Sequence, residues 1–164
     1  MKIKKNNDND PLAHMKLKAE TGNAYDQYKI GYVYYYGDGV AKDQTEGVKW
    51  YHKAAEQGHA YAQHNLANAY YLGTGVTRDP VEAVKWWRKA AEQGHANAQY
   101  RLGNAYSIGG GVAKNQVEAV KWFRKAAEQG HAQAQYKLGD AYANGEGVAK
   151  DLVEAVKWYQ LSKA

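Results

Sequence analysis

Apolar and small residues along this chain fall into two alternating helical patterns, and the pair of patterns recurs every 36 residues. In the first, positions of constant character at Ala60, Gln63, Leu66, Ala67 and Tyr70 are separated by 3, 3, 1 and 3 residues. That spacing puts them on one face of a helix, helix A. The second pattern, helix B, is clearest at residues 81–94, V-E-A-V-K-W-W-R-K-A-A-E-Q-G. It repeats closely at 117–130, returns at 153–159, and is looser at 46–58. When the copies are aligned, Trp50, Trp86, Trp122 and Trp158 step by 36 residues, as do Gly22, Gly58, Gly94 and Gly130. A unit of this length has no second layer to cover its own apolar stripes, so neighbouring copies must stack into one core.

The polar and glycine positions mark where these helices begin and end. Helix A stops at Gly37, Gly73, Gly109 and Gly145, where glycine takes a positive φ at little cost. A second glycine two residues on precedes Val40, Val76, Val112 and Val148, which predicts a tight loop whose valine plugs back into the core. Helix B starts at Asp43, Asp79, Asn115 and Asp151, with glutamate three residues later, an arrangement that predicts a capping box. Pro80 falls at the first helical position, where a missing N–H costs nothing. The small residue at Gly31, Ala67, Gly103 and Gly139 predicts close helix approach at the middle of helix A. The predicted organisation is a disordered tail over 1–10 and one domain over 11–164. Within it, a capping helix at 11–21 precedes repeats at 22–57, 58–93, 94–129 and 130–164.

Composition narrows the chemistry. The formal charge of +5 arises mainly from lysines spread along the repeats, which describes a solvated face and no nucleic-acid patch. The absence of cysteine leaves no disulfide or thiolate metal site and fits a reducing, cytoplasmic compartment. Residues 1–10 have no apolar run of the kind a secretory signal needs, and no window approaches the roughly 20 apolar residues of a membrane span. The histidines His59, His95 and His131 lie a whole repeat apart, too far to share one metal ion, so they are expected at loops or helix starts. Glu46, Glu82, Glu118 and Glu154 recur in every copy, as a cap does and a catalytic carboxylate has no reason to. No nucleophile and base pair, Walker loop or HExxH is present, so neither an enzyme nor a cofactor is expected.

The text A-x-x-Q-x-x-L-G-x-x-Y-x-x-G-x-G-V-x-x-D-x-x-E-A-V-K-W-x-x-K-A-A-E-Q-G can be read in close form at 24–57, 60–93, 96–129 and 132–159. In these residues the chain resembles the Sel-like repeat family, tetratricopeptide relatives with a two-glycine loop between the helices. Ile30, Ala67, Asn115 and Gly47 depart from the pattern without threatening it. The resemblance implies an all-α, right-handed α-solenoid of antiparallel helix pairs with the A helices along the concave wall. It also implies a scaffold or adaptor that binds proteins or peptides rather than a catalyst. Cysteine-rich secreted relatives suggest β-lactam binding or hydrolysis as an alternative, but this chain lacks their cysteines. A self-stacking assembly unit, joined end to end, is a further alternative.

If the constant face of helix A is core, the variable positions opposite it are the candidates for recognition. They are Tyr25, Tyr28, Tyr32 and Tyr35, then Tyr61, His64, Asn68 and Tyr71, then Tyr100, Arg101 and Asn104, then Tyr136 and Lys137. Tyrosine suits such a surface because it offers a large contact area at low entropic cost and keeps a hydroxyl. Tyr28, Tyr100 and Tyr136 recur at one position and also fit packing between adjacent A helices. Tyr34, Tyr70, Tyr106 and Tyr142 are assigned to the core. Likeness to tetratricopeptide grooves further implies that Asn68 with Arg101, and Asn104 with Lys137, grip a carboxylate.

Overall fold

Each A stripe forms a helix of 13 residues: α2 (Ala24–Tyr36), α4 (Ala60–Leu72), α6 (Ala96–Ile108) and α8 (Ala132–Asn144). These alternate with the B helices α3 (Gln44–Glu56), α5 (Pro80–Glu92), α7 (Gln116–Glu128) and α9 (Leu152–Leu161), and α1 (Pro11–Glu20) precedes them all. A computed structural model describes residues 11–164, so the tail expected at 1–10 lies outside the described residues. Among the described residues there is no strand, and no helix is long and apolar enough to cross a membrane. Each helix packs chiefly on its neighbours in sequence, which is the right-handed α-solenoid of antiparallel pairs.

The core seats a B-helix aromatic on the small residue of its paired A helix. A Cβ added at Gly31 would stand 2.8 Å from the Tyr51 ring, one at Gly103 2.6 Å from Phe123, and one at Gly139 2.7 Å from Tyr159. Ala67 faces the same task opposite Trp87, and both are buried. Leu66, Leu102 and Leu138 lose all contact with water between successive units. The loop valines Val40, Val76, Val112 and Val148 are half-buried, and the last three pack against the core as expected.

Two sequence expectations are corrected. The predicted capping box closes on one side only. Asp43 and Asn115 accept from the N–H of Glu46 and Glu118, and Asp79 and Asp151 do the same for Glu82 and Glu154. The N-cap N–H groups instead reach back to the paired A helix, donating to the carbonyls of Tyr34, Tyr70, Tyr106 and Tyr142 at 2.8–2.9 Å. With that donor satisfied, each glutamate turns outward to the lysine three residues on. The second correction is partial: Tyr106 is buried in the core as assigned, whereas Tyr34, Tyr70 and Tyr142 pack against it half-buried. The hydroxyls of Tyr106 and Tyr142 accept from Arg88 and Arg124.

A buried glutamine ties each unit to its neighbours. Gln63, Gln99 and Gln135 donate from Nε2 to the carbonyls of Ala55, Ala91 and Ala127 in the preceding B helix, each at 3.1 Å. Gln63 and Gln99 accept in turn from Gln93 and Gln129 at the end of the following B helix, at 2.7 and 2.8 Å. In Gln63 and Gln99 the buried amide is therefore paired on both sides, as a polar group in a core must be.

Candidate functional site

Asparagine caps the first A helix, where Asn23 accepts from the N–H groups of Tyr25 and Asp26, and histidine caps the other three. Nδ1 of His59, His95 and His131 accepts the N–H of Ala62, Ala98 and Ala134, each at 3.2 Å, so these residues are N-caps. Their rings also serve the stack. Tyr28 lies on His59, His64 on His95 and Tyr100 on His131, each pair with centroids 4.7 Å apart. These three candidates are therefore half-buried in the seams between units, with one ring face already used. Tyr136, at the same position in the last unit, has no such histidine beyond it and is exposed.

Tyr35, read as a surface candidate, is only 9% exposed. Gly47 lies so close that an added Cβ would stand 2.7 Å from the Tyr35 Cβ, and the Tyr35 ring packs on Tyr51. Tyr32 remains exposed, with its ring 4.5 Å from that of Tyr36. Tyr25 and Tyr61 are exposed at the starts of α2 and α4, near the capping His59 and His95 of the following A helices. Arg101 and Lys137 are exposed, whereas Asn68, Tyr71 and Asn104 are half-buried.

The helix-A face is thus narrower than the sequence suggests, and its centre lies across the first three units. A cavity of about 400 Å³ opens there, lined by Tyr35, Tyr36, Gln44, Asn68, Tyr71, Leu72, Thr74, Trp87 and Arg101. Arg101 is the sole charged residue in that lining. A smaller cavity shares Tyr71, Trp87 and Arg101 and adds Asn104, Ala105 and Ile108. Of these, Trp87 belongs to the B-helix pattern and was not among the helix-A candidates. Its indole N–H reaches Asn68 Oδ1 at 3.1 Å, and the asparagine amide in turn contacts His64 Nε2 at 3.0 Å.

That chain of bonds settles two side chains. The Asn68 oxygen takes the indole proton, so its amide group donates to His64 Nε2 and the imidazole proton sits on Nδ1. This nitrogen is buried without a partner. Burial, then the neighbouring His95 and Arg101, pull His64 down to about 3, so it stays neutral. Asn68 is committed inside the fold, and the expected pairing of Asn68 with Arg101 around a carboxylate is reduced to the guanidinium. Asp140 is engaged in the same way by the hydroxyl of Tyr159 at 2.8 Å. That bond, ahead of burial, pushes the phenol up to about 12.

Comparison with known proteins gives this architecture its relatives. The family model described as Sel1 repeat matches residues 24–59, 60–95, 96–131 and 132–164. The chain belongs to the Sel1 repeat family. Among solved structures it is similar to c5321, a protective antigen present in uropathogenic Escherichia coli strains and displaying an SLR fold. The two share 44% identity with a TM-score of 0.90 over 94% of this chain and 33% of that one. It is also similar to a Sel1 repeat protein from Oxalobacter formigenes, at 38% identity and a TM-score of 0.85 over 93% of this chain and 61% of that one. The chain therefore spans one third of the first relative and about three fifths of the second. Cysteine rich protein B of Helicobacter pylori, at 22% identity and a TM-score of 0.58 over 77% of this chain and 96% of that one, shares the fold. No curated protein matches. Sel1 repeat proteins are commonly protein-interaction scaffolds.

Proposed function

We propose that this Sel1 repeat chain is a non-catalytic adaptor that takes an extended peptide segment of another protein along the concave face of its A helices. The observation that carries this reading is the cavity across the first three units. It sets aromatic and amide side chains around a guanidinium that no intramolecular bond occupies. Tyr32, Tyr36, Tyr71 and Arg101 supply the contact area and orientation, with Tyr25, Tyr61, Tyr136 and Lys137 extending the surface to either side. Aromatic and arginine side chains of this kind carry most of the energy of an interface when they are desolvated. The test is affinity capture with the intact chain beside a Tyr71→Ala and Arg101→Ala double variant, followed by measurement of the affinity of the captured partner. The double variant is expected to bind at least about 30-fold more weakly, as loss of one hot spot of about 2 kcal/mol implies. Unchanged binding would remove the groove from consideration.

A further inference from the structure

In a stack of repeats each unit touches only its neighbours, so one weak interface can part while the others hold. The three seams between the four units are built alike. Across each, a glutamine amide reaches an alanine carbonyl of the preceding B helix at 3.1 Å: Gln63 to Ala55, Gln99 to Ala91 and Gln135 to Ala127. Across each, a ring of helix A also lies on the histidine that caps the next A helix, with centroids 4.7 Å apart. In the first and third seams that ring is the phenol of Tyr28 or Tyr100, which takes up no proton in acid. In the second it is His64, so two imidazoles face each other there.

The fold has no place for a proton added to His64. Nε2 already accepts from the Asn68 amide at 3.0 Å, so a new N–H there would point at another donor. Turning the Asn68 amide over would offer its oxygen to the ring, but that oxygen holds the indole N–H of Trp87, which is 2% exposed. Either way one buried donor loses its acceptor. Burial disfavours the charged ring, and so do the groups that face it from the next unit, the capping His95 and then Arg101 on α6. Trp87 of α5 and Asn68 of its own helix carry no charge, and α3, packed on the other side of α4, adds none that bears on the ring. His95 itself is packed edge-on by Tyr61 and accepts the Ala98 N–H at Nδ1, so a proton taken up there would undo the cap of α6.

We infer that the seam between the second and third units is an acid-labile joint, where protonation of His64 parts the array while the other two seams hold. Parting there divides the smaller cavity, whose Tyr71 and Trp87 belong to the second unit and whose Arg101, Asn104 and Ile108 belong to the third. The joint itself needs no ligand, and only its consequence for a bound peptide rests on the proposed groove. Once the seam is open, the imidazole regains the ordinary histidine value of 6.5 in place of about 3. The ring therefore favours the closed seam fully above about pH 6.5, and each unit below that shifts the balance about tenfold toward the open form. The capping histidines His59, His95 and His131 are lowered by burial in all three seams and do not distinguish them.

The test is hydrogen exchange of the Nε2 protons of Gln63, Gln99 and Gln135, followed by nuclear magnetic resonance on the intact chain at about pH 7.5 and about pH 5. Each of these amides donates across one seam. The three share one intrinsic chemistry, so their ratios cancel the pH dependence of exchange itself. The opening that releases Gln99 should rise about 30-fold relative to Gln63 and Gln135 over that interval. In His64→Tyr, which supplies the ring that the other two seams carry, the three amides should stay in step. An equal rise at all three in the wild type would mean that the array opens as one body, and would overturn the joint. A rise confined to Gln99 that persists in His64→Tyr would overturn the role of His64. The wild-type comparison needs no variant, so it tests the joint even if His64→Tyr folds poorly, which circular dichroism would reveal. No ligand is present, so either result leaves the groove to be judged by its own binding experiment.

Discussion

His64 stands where three other units carry tyrosine, and His64→Tyr isolates what that costs in acid. In the folded chain, burial, His95 and Arg101 hold the imidazole at about 3, against 6.5 for an ordinary histidine. The unfolded chain therefore takes up a proton on this ring below about pH 6.5 while the folded chain does not. A histidine depressed in this way contributes its full stability above the unfolded value, and that contribution drains away as the pH falls toward the folded value. At about pH 5, some 1.5 units below the unfolded value, the loss is about 2 kcal/mol. Tyrosine does not titrate in this window, and at Tyr28 and Tyr100 it makes the same stack on the next histidine, at the same 4.7 Å. Urea unfolding followed by far-ultraviolet circular dichroism at about pH 7.5 and about pH 5 gives the comparison. The wild type should lose about 2 kcal/mol more than His64→Tyr over that interval. His59, His95 and His131 are also depressed by burial, but they are common to both proteins and cancel. Parallel losses in the two proteins would mean that His64 is hydrated in the fold, and the chain of bonds through Asn68 and Trp87 would need to be abandoned.

Other substitutions probe the stack. Gly111 and Gly39 hold the same loop position with φ of 85° and 74°, but a Cβ at Gly111 would strike the Pro80 carbonyl of the preceding unit, whereas Gly39 has nothing within 4 Å. Gly39→Ala should therefore cost about 1–2 kcal/mol for the left-handed backbone alone, and Gly111→Ala distinctly more, by thermal or urea unfolding. Gln99→Leu removes the bond to the Ala91 carbonyl and the one from the Gln129 amide, leaving them the Gly94 N–H and the Lys125 carbonyl, and should cost about 1–3 kcal/mol in the same assay. Nitrocefin should remain unhydrolysed by the purified chain, and turnover above the buffer rate would reopen the β-lactam alternative.

The helices were legible because their stripes are local. Ala60, Gln63, Leu66 and Ala67 share a face whatever surrounds them, and Asp79 before Pro80 starts a helix on its own chemistry. The groove was harder to read, because which side chains are free depends on partners far along the chain. Tyr35 reads like Tyr32 in the sequence, yet Gly47 and Tyr51 enclose it. Asn68 and Asn104 are the same residue at the same repeat position. A tryptophan 19 residues on commits the first, and a phenylalanine at the matching place leaves the second open. The capping histidines were expected only at loops or helix starts, since imidazole in that role is visible only once its Nδ1 meets a backbone N–H.

The amino-acid order alone set the repeat length, the two helices per unit, their ends, and the apolar stripe that makes stacking obligatory. Those properties depend on contacts within a few turns, which the 36-residue period states four times over. Which inward side chains remain available was decided only by the stacked units. A hydroxyl, an indole or a bare phenyl ring on one helix determines whether the polar group opposite is bound or free, and that pairing exists only after the helices meet.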